Sequence, residues 1–255
     1  MSSRKKRNSL AFDIVEEVAA EPVNPLYKLR KNKKFKFTPK NQSQEKFIKE
    51  IENKNIVFNI GSAGTGKSYV SVCWAIEQIT KRDSIYKRLV FTRPAIEACG
   101  EEIGFLPGLL EEKLAPYMQP IYDILFKYGI YKNDIAKLIE EGIIEICPLA
   151  FMRGRSFEGI ILIAEECQNM SSSQMEMLLT RIGKDSKFIL TGDTSQRDIR
   201  TAYGVEEAYE LFRDCNDIGF VVFDSSETLR DPLVEYVVDK YADLRENQTK
   251  NKKTR

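Results

Sequence analysis

The stretch that decides the fold is IVFNIGSAGTGKS, residues 56–68, in which an apolar run ends in a glycine-rich turn. The turn matches the pattern G-x-x-x-x-G-K-[ST] at every fixed position, with the residues Gly61, Ser62, Ala63, Gly64, Thr65, Gly66, Lys67 and Ser68. The apolar run predicts a buried strand, and residues 67–81 predict a helix. Such a turn wraps around phosphate groups, because its N–H groups point inward and the helix N-terminus carries partial positive charge.

This loop predicts a nucleoside triphosphate and Mg²⁺ as ligands. We expect Lys67 to reach the β- and γ-phosphates and the Ser68 hydroxyl to bind Mg²⁺. All eight loop residues are expected to contact the nucleotide, and the cofactors are therefore predicted to be ATP and Mg²⁺. The alternative is an accidental glycine turn, against which the flanking strand and helix argue.

Strands and helices alternate along the chain. Further strands are predicted at 87–91, 143–146, 159–164, 187–191 and 218–223, and helices at 43–53, 109–128, 132–141, 172–182, 205–213 and 231–243. The strands are continuous apolar runs, which is typical of a parallel sheet covered on both faces. We expect a flexible basic leader at 1–40, one α/β domain at 41–243 and a flexible basic tail at 244–255.

Two acids follow the predicted strand 159–164. Glu165 is the candidate Mg²⁺ ligand, and Glu166 is the candidate general base or water-orienting group. An aspartate is usual at the first position, and the longer side chain of Glu165 implies a looser metal geometry, which Mg²⁺ tolerates badly. The alternative is that both acids cap the next helix.

The spacing of these motifs predicts the branch of the fold. Lys67 and Glu165 are 98 residues apart, which leaves room for at least one strand between them. A strand inserted between phosphate loop and acidic motif is typical of RecA-like ATPases. We therefore predict a RecA-like P-loop NTPase of the α/β class, with a mostly parallel sheet and helices on both faces.

Two glutamines complete the candidate site. Gln196 lies in TGDTSQ, directly after the predicted strand 187–191, where it is expected to sense the γ-phosphate. Gln44 precedes the first strand, and its amide is able to pair with both a donor and an acceptor of adenine. Taken alone, the first is an ordinary turn residue and the second a surface residue.

Composition excludes several classes of protein. The 255 residues include no histidine, so Ser-His-Asp and Cys-His relays and HExxH zinc helices are ruled out. Five cysteines without a CxxC pair argue against a disulfide scaffold and suit the cytoplasm. No run of 18 apolar residues indicates a membrane span. Residues 1–36 carry ten basic and four acidic groups, which attract a phosphate backbone or simply stay solvated.

Longer strings resemble the PhoH-like ATPase family: TRPAIEACGEEIGFLPG (92–108), PLAFMRGRSF (148–157), EECQNM (165–170) and TGDTSQRD (191–198). The resemblance covers about four fifths of the chain and implies a single RecA-like domain that hydrolyses ATP and handles RNA or single-stranded DNA. It further implies a homo-oligomer, a hexameric ring in several members. Glu166 and Gln168 match the family's second acid and its glutamine, whereas Glu165 departs from the usual aspartate.

The arginines are assigned to two roles. A lone RecA-like domain needs an arginine finger from a neighbouring subunit, and Arg181 and Arg230 are preferred over Arg155 for it. Arg93, Arg153 and Arg155 are predicted to contact a nucleic-acid backbone, with nearby aromatic residues as stacking faces: Tyr117, Tyr122, Phe151 and Phe157. Taken alone, each arginine fits a structural ion pair better than either of these roles. The overall alternative function is an ATP-dependent switch in a protein assembly, with incidental nucleic-acid binding.

Overall fold

The structure is a computed structural model that describes residues 37–94, 110–199, 201–224 and, in a last helical stretch, 233–234, 236–237 and 240–241; side chains of 110–117 are outside the description. Its helices are α1 (Gln42–Asn53), α2 (Lys67–Ile79), α3 (Leu110–Lys127), α4 (Lys132–Glu140), α5 (Ser172–Leu179) and α6 (Gly204–Phe212). Its strands are β1 (Ile56–Gly61), β2 (Arg88–Thr92), β3 (Ile144–Ile146), β4 (Ile160–Ala164), β5 (Lys187–Gly192) and β6 (Ile218–Phe223). Most of the predicted leader, all of the predicted tail, and Arg230 lie outside these residues.

The six strands form one parallel sheet in the order β3-β2-β4-β5-β1-β6. Strand β5 lies between β1, which carries the phosphate loop, and β4, which carries the two acids. This order confirms the predicted α/β class and RecA-like arrangement. Because all strands run the same way, their carboxyl ends meet at one edge, where ligands bind in open α/β sheets.

Two apolar cores cover the two faces of the sheet. One includes Phe47 of α1, Ile76 of α2 and Ile121 of α3, and the other includes Leu178 of α5 and Ala208 of α6. Every residue of β4 is at most 1% exposed, and full burial of each large aliphatic side chain stabilises the fold by about 1.5–3 kcal/mol. The sheet is therefore a rigid base for the loops at its carboxyl edge.

Helices α1 and α5 have bounds that differ from the sequence prediction. Helix α1 begins one residue earlier than predicted, and its N-cap is Asn41, whose side chain accepts from the Gln44 backbone amide. Helix α5 ends at Leu179 instead of 182. The chain leaves the helix there because residues 181–183 pair with Phe157, whose amide donates to the Arg181 carbonyl and whose carbonyl accepts from the Gly183 amide.

Among the described residues, no helix combines the length and the apolar character that crossing a membrane requires.

Candidate nucleotide-binding site

The phosphate loop follows β1 as predicted and is shaped by two glycines. Gly64 and Gly66 have φ values of 87° and 89°, a left-handed conformation that favours glycine. The Thr65 hydroxyl donates to the carbonyl of Ser62 at 2.8 Å. The loop thus holds a tight turn before α2 begins at Lys67.

Lys67 lies across this turn. Its ammonium donates to the carbonyl oxygens of Gly61 at 2.7 Å and Ser62 at 2.8 Å, and the residue is 9% exposed. The lysine is therefore fixed beside the loop, where a bound phosphate would compete with these carbonyls for its charge.

The first glycine of the loop has a packing reason of its own. A Cβ atom at Gly61 would lie 2.5 Å from the carbonyl oxygen of Phe223 in β6. Any side chain here would push β6 away from β1, so the requirement for glycine comes from the sheet as well as from the phosphate.

Gln44 is buried against the phosphate loop. Its side-chain carbonyl accepts from the Lys40 amide at 2.9 Å, and its NH₂ group donates to the Thr65 carbonyl at 3.3 Å. The structure brings this glutamine to the predicted nucleotide site. Its role toward adenine remains a prediction, because the contacts described here join it to the protein chain.

Glu165 lies beside the loop at the end of β4. Burial raises the pKa of its carboxyl group above the ordinary value, and the charge of Glu166 raises it as well. The Ser68 side chain and the charges of Arg93 and Lys67 act in the opposite direction. The Oε1 atom of Glu165 is buried without a hydrogen-bond partner in the described part of the chain.

These features fit the predicted Mg²⁺ site. Ser68 and Glu165 offer a hydroxyl and a carboxylate, which are the hard oxygen ligands that Mg²⁺ prefers. Groups of three or more Asp, Glu, Cys or His suited to a metal do not occur among the described residues. Mg²⁺ that keeps several waters and binds nucleotide phosphates needs only one or two protein ligands.

Arg93 has a different position from the one that its predicted role suggested. It follows β2, whose last residue, Thr92, pairs with Ala164 and accepts from the Glu165 amide at 2.9 Å. The arginine is half-buried and close enough to lower the pKa of Glu165. It belongs to the surroundings of the acidic motif, and its contact with nucleic acid remains a prediction.

Glu166 has an unusual backbone. Its φ of 55° and ψ of 35° are left-handed, which costs a non-glycine residue about 1–3 kcal/mol and persists only where neighbours enforce it. Its carboxylate accepts from the Gln168 amide at 2.6 Å. The first turn after β4 is a short 3₁₀ helix, Cys167–Asn169, that sequence periodicity did not predict.

The segment after β5 approaches the loop through Asp193, a residue for which the sequence suggested no role. Its carboxylate accepts from the Ala63 amide of the phosphate loop at 2.8 Å. Gln196 is exposed in the following 3₁₀ helix, Thr194–Gln196. The segment is therefore beside the nucleotide site as predicted, while γ-phosphate sensing by Gln196 stays a prediction. The only signal for Asp193 was its place directly after a strand next to β1.

Arg181 lies at the amino edge of the sheet, opposite the carboxyl edge that carries the phosphate loop. Its guanidinium donates to the carbonyls of Met177 at 3.1 Å and Arg155 at 3.2 Å and to the Thr180 hydroxyl at 3.2 Å. A strand of six residues spans about 20 Å, so Arg181 does not reach the phosphate loop of its own subunit. A role at a neighbour's site is untested and would require these hydrogen bonds to break.

The remaining arginines differ sharply from each other. Arg155 makes a bidentate ion pair with Glu145 at 2.5 and 3.1 Å, and Arg88 pairs with the same carboxylate. The guanidinium carbon of Arg155 also lies 4.5 Å from the ring centre of Phe157. A nucleic-acid phosphate would therefore have to compete with Glu145 for Arg155. Arg153 is exposed and free to meet a ligand from solvent.

The aromatic candidates separate in the same way. Phe157 is fully buried, so its predicted role as a stacking face is wrong. Tyr122 packs against the core, and the side chain of Tyr117 is outside the described residues. Phe151 is 59% exposed and lies two positions from Arg153.

A cavity of about 450 Å³ lies at the amino ends of β1, β2, β5 and β6, lined by Asn55, Tyr86, Lys184, Asp185 and Asp217, among others. It is at the far edge of the sheet from the phosphate loop and shares no residue with the candidate site.

The fold and the site together define a P-loop NTPase with a RecA-like sheet. A family model described as PhoH-like protein matches residues 36–242, and this chain belongs to that family. A PhoH-like protein of Mycobacterium tuberculosis (strain ATCC 25618 / H37Rv) is 40% identical over 206 residues, covering 80% of this chain and 57% of that protein. A PhoH-like protein of Bacillus subtilis (strain 168) is 40% identical over 204 residues, covering 79% and 63%.

Protein PhoH of Escherichia coli (strain K12) is 36% identical over 206 residues, covering 80% of this chain and 57% of that protein. The chain thus spans about three fifths of the length of these relatives. A crystal structure of Pif1 helicase from Candida albicans aligns with a TM-score of 0.37 and 17% identity, covering 74% of this chain and 40% of that one.

Proposed function

We propose that this chain is a Mg²⁺-dependent ATPase that acts on single-stranded nucleic acid, as a motor, helicase or remodeller. The observation that carries the proposal is the convergence of Ser68, Glu165 and Glu166 beside Lys67 at the carboxyl edge of the sheet. A hydroxyl, two carboxylates and an ammonium are the groups that phosphoryl transfer to water requires.

Each side chain has a defined task in this scheme. Lys67 would exchange its carbonyl partners for the β- and γ-phosphates, and Ser68 and Glu165 would hold Mg²⁺. When bound, Mg²⁺ supplies positive charge to the phosphates. Glu166 accepts a proton from the attacking water or orients it. A carboxylate is the natural base, because the sequence contains no histidine.

Support for nucleic acid as the partner comes from charge and exposure. Arg153 and Phe151 are both exposed in the connection between β3 and β4, so a cation and an aromatic face are available together. Residues 1–36 and 240–255 carry ten and six basic groups against four and two acids. Such groups bind phosphate backbones of DNA or RNA without reading sequence.

We further propose that the protein works as a homo-oligomer, a hexameric ring, with ATP at the boundary between subunits. A nucleotide at an open sheet edge lacks the water-excluded, preorganised charges that stabilise a transition state. A neighbour in head-to-tail contact supplies an arginine and covers the site. We propose the cytoplasm as its compartment, since Cys73, Cys147, Cys167 and Cys215 are free thiols.

The second candidate function is an ATP-dependent switch in a protein assembly. It is favoured by Arg155, whose pairing with Glu145 removes one of the three predicted nucleic-acid contacts. In this case nucleic acid would bind to the basic segments without any effect on ATP turnover.

The test is the rate of phosphate release with Mg²⁺ and ATP, measured alone and with single-stranded DNA or RNA of mixed sequence. We expect hydrolysis that either polymer stimulates. Lys67→Ala is the control, and it should abolish the activity and weaken ATP binding, because the ammonium charge is lost. Hydrolysis without stimulation favours the switch, and wild-type turnover by Lys67→Ala contradicts the assigned site.

A further inference from the structure

Gln168 is a buried amide that joins the acidic motif to the segment after β5. It is 1% exposed. Its NH₂ group donates to the Glu166 carboxylate at 2.6 Å and to the Gln196 carbonyl at 3.4 Å, and its carbonyl accepts from the Asp193 amide at 3.0 Å. Both donors of the amide and its acceptor are thus engaged.

Asp193 continues this connection to the phosphate loop. It is 7% exposed. One carboxylate oxygen accepts from the Ala63 amide at 2.8 Å, and the other accepts from the amide and the hydroxyl of Ser195 at 3.0 and 2.5 Å. A line of hydrogen bonds therefore runs from Ala63 through Asp193 and Gln168 to Glu166, across the ends of β1, β5 and β4.

The space for this line is provided by the last residue of β5. A Cβ atom at Gly192 would lie 2.7 Å from the Gln168 carbonyl oxygen and 2.8 Å from the Cys167 sulfur. A larger residue would displace the amide from its three partners. The same packing helps to hold Glu166 in its left-handed conformation, which an unconstrained glutamate would leave.

We propose that Gln168 is a positioning residue that fixes the Glu166 carboxylate, and that Asp193 sets the distance between this carboxylate and the phosphate loop. The inference rests on the proposed ATPase function, in which Glu166 acts on the attacking water. Rate depends steeply on such placement, since a misplacement of about 1 Å costs roughly 10²-fold.

The two residues should differ in their effects. Gln168→Leu removes the contacts to Glu166 and leaves Lys67 and the loop in place, so kcat should fall roughly 10–100-fold while the Kd for ATP changes less than about twofold. Asp193→Ala loses the acceptor for the Ala63 amide, so it should weaken ATP binding as well as turnover.

Asn169 provides the matched control. It is the next residue and is fully buried, and its side-chain amide bonds Asp198 and the Ile199 amide. Among the described hydrogen bonds its side chain makes none to Glu166; its backbone amide donates to the Glu166 carbonyl at 3.0 Å, and a change of side chain leaves that donor in place. Asn169→Leu should therefore lower kcat much less than Gln168→Leu. Equal losses of kcat would mean that breaking any hydrogen bond between the acidic motif and the segment after β5 lowers the rate, which overturns the positioning role.

A double-mutant cycle with Glu166→Gln, read by single-turnover hydrolysis, separates positioning from general damage. If Gln168 acts through Glu166, Gln168→Leu should cause almost no further loss in the Glu166→Gln background. Additive losses contradict the proposal. If thermal unfolding shows that Gln168→Leu is not folded, Gln168→Glu replaces it in the test. This variant keeps the size and the acceptor for Asp193 but loses the donor, so it should reproduce the kcat defect.

The outcomes also distinguish the two levels of inference. If the wild-type protein hydrolyses ATP and the Gln168 variants hydrolyse it at the same rate, only the positioning role is overturned. Absence of hydrolysis by the wild-type protein under all conditions, with or without nucleic acid, overturns the proposed function and the positioning role together.

Discussion

The Ser68 side chain lies close enough to the Glu165 carboxyl group to lower its pKa, although the strands that lead to these two residues are not neighbours. Strand β5 separates β1 from β4, and its carboxyl end supplies Asp193, which bonds the phosphate loop. The inserted strand therefore brings a third segment into the site, so that loop, acidic motif and the segment after β5 surround one place at the sheet edge.

Glu166→Gln should retain ATP binding and stop turnover, because an amide neither accepts a proton nor polarises water as a carboxylate does. We expect a loss of about 10²–10⁴-fold in kcat with little change in the Kd for ATP. Equilibrium binding of a fluorescent ATP analogue beside phosphate release measures both quantities. Turnover near the wild-type rate would remove Glu166 from the proposed mechanism.

Glu165→Asp should preserve or raise ATPase activity if the extra methylene merely strains the metal geometry. The shorter acid is the usual residue at this position, and Mg²⁺ favours near-ideal octahedral geometry. The check is a titration of activity with Mg²⁺, in which half-maximal activity should need no more metal than in the wild-type protein. A large drop would show that the backbone after β4, held by the Glu165 amide on Thr92, is built around glutamate.

The arginine finger predicts complementation between subunits. Arg181→Ala or Arg230→Ala should bind ATP but hydrolyse it about 10³-fold or more slowly. Mixing either variant with Glu166→Gln should restore some activity, because some boundaries then pair an intact acid with an intact arginine.

Mass measurement of the mixed oligomers provides the control for subunit exchange. Arg181→Ala also loses three local hydrogen bonds, so its thermal unfolding must be compared with that of the wild type. A monomer with full activity at all concentrations contradicts the ring, as do exchanged mixtures that never regain turnover.

The basic ends should contribute to nucleic-acid affinity. Removing 1–36 and 244–255 deletes ten and five basic residues against four and one acids. Fewer released counterions should weaken binding of a single strand by about tenfold or more and make its salt dependence shallower. Fluorescence anisotropy at several salt concentrations tests this, and identical affinity and slope would mean that these segments only interact with solvent.

Lys187 should make stability depend on pH. It is 4% exposed and donates to the Lys54 carbonyl, and burial lowers the pKa of its ammonium from 10.5 to about 8. Between these values the unfolded chain binds a proton that the folded chain does not, so this group favours folding more as pH rises. Below pH 8 the full cost of burying the charge is present.

Lys187→Met should therefore unfold at higher denaturant concentration than the wild type at pH 7, and this advantage should shrink by on the order of 2–3 kcal/mol by pH 10.5. Lys46→Met, at an exposed position of α1, is the control and should show no such change. A difference between Lys187→Met and wild type that stays constant from pH 7 to 10.5 would contradict the lowered pKa.

Several parts of the site were predictable because they depend on local sequence. The left-handed turns at Gly64 and Gly66 need glycine, and the apolar runs of β1 and β4 mark strands wherever they occur. The presence of strands between the two motifs in sequence, β2 and β3, also follows from the separation of Lys67 and Glu165. These features depend on backbone conformation and residue order, which the sequence states directly.

The partners of individual side chains were not predictable in this way. Arg155 resembled a nucleic-acid contact until the fold placed Glu145 of β3 beside it. The helix that follows the acids ends early because residues 181–183 pair with Phe157. A charged side chain forms the nearest good contact in space, and its nearest neighbours come from strands far away in the chain.

By itself, the sequence determined the class of this protein: an α/β chain with a phosphate loop, an acidic pair and a glutamine after the next strand. Only the tertiary structure decided that Ala63, Asp193, Gln168 and Glu166 form one connected line. The physical reason is that periodicity and glycine turns act over a few residues, whereas these hydrogen bonds depend on the order of β1, β5 and β4 in the sheet.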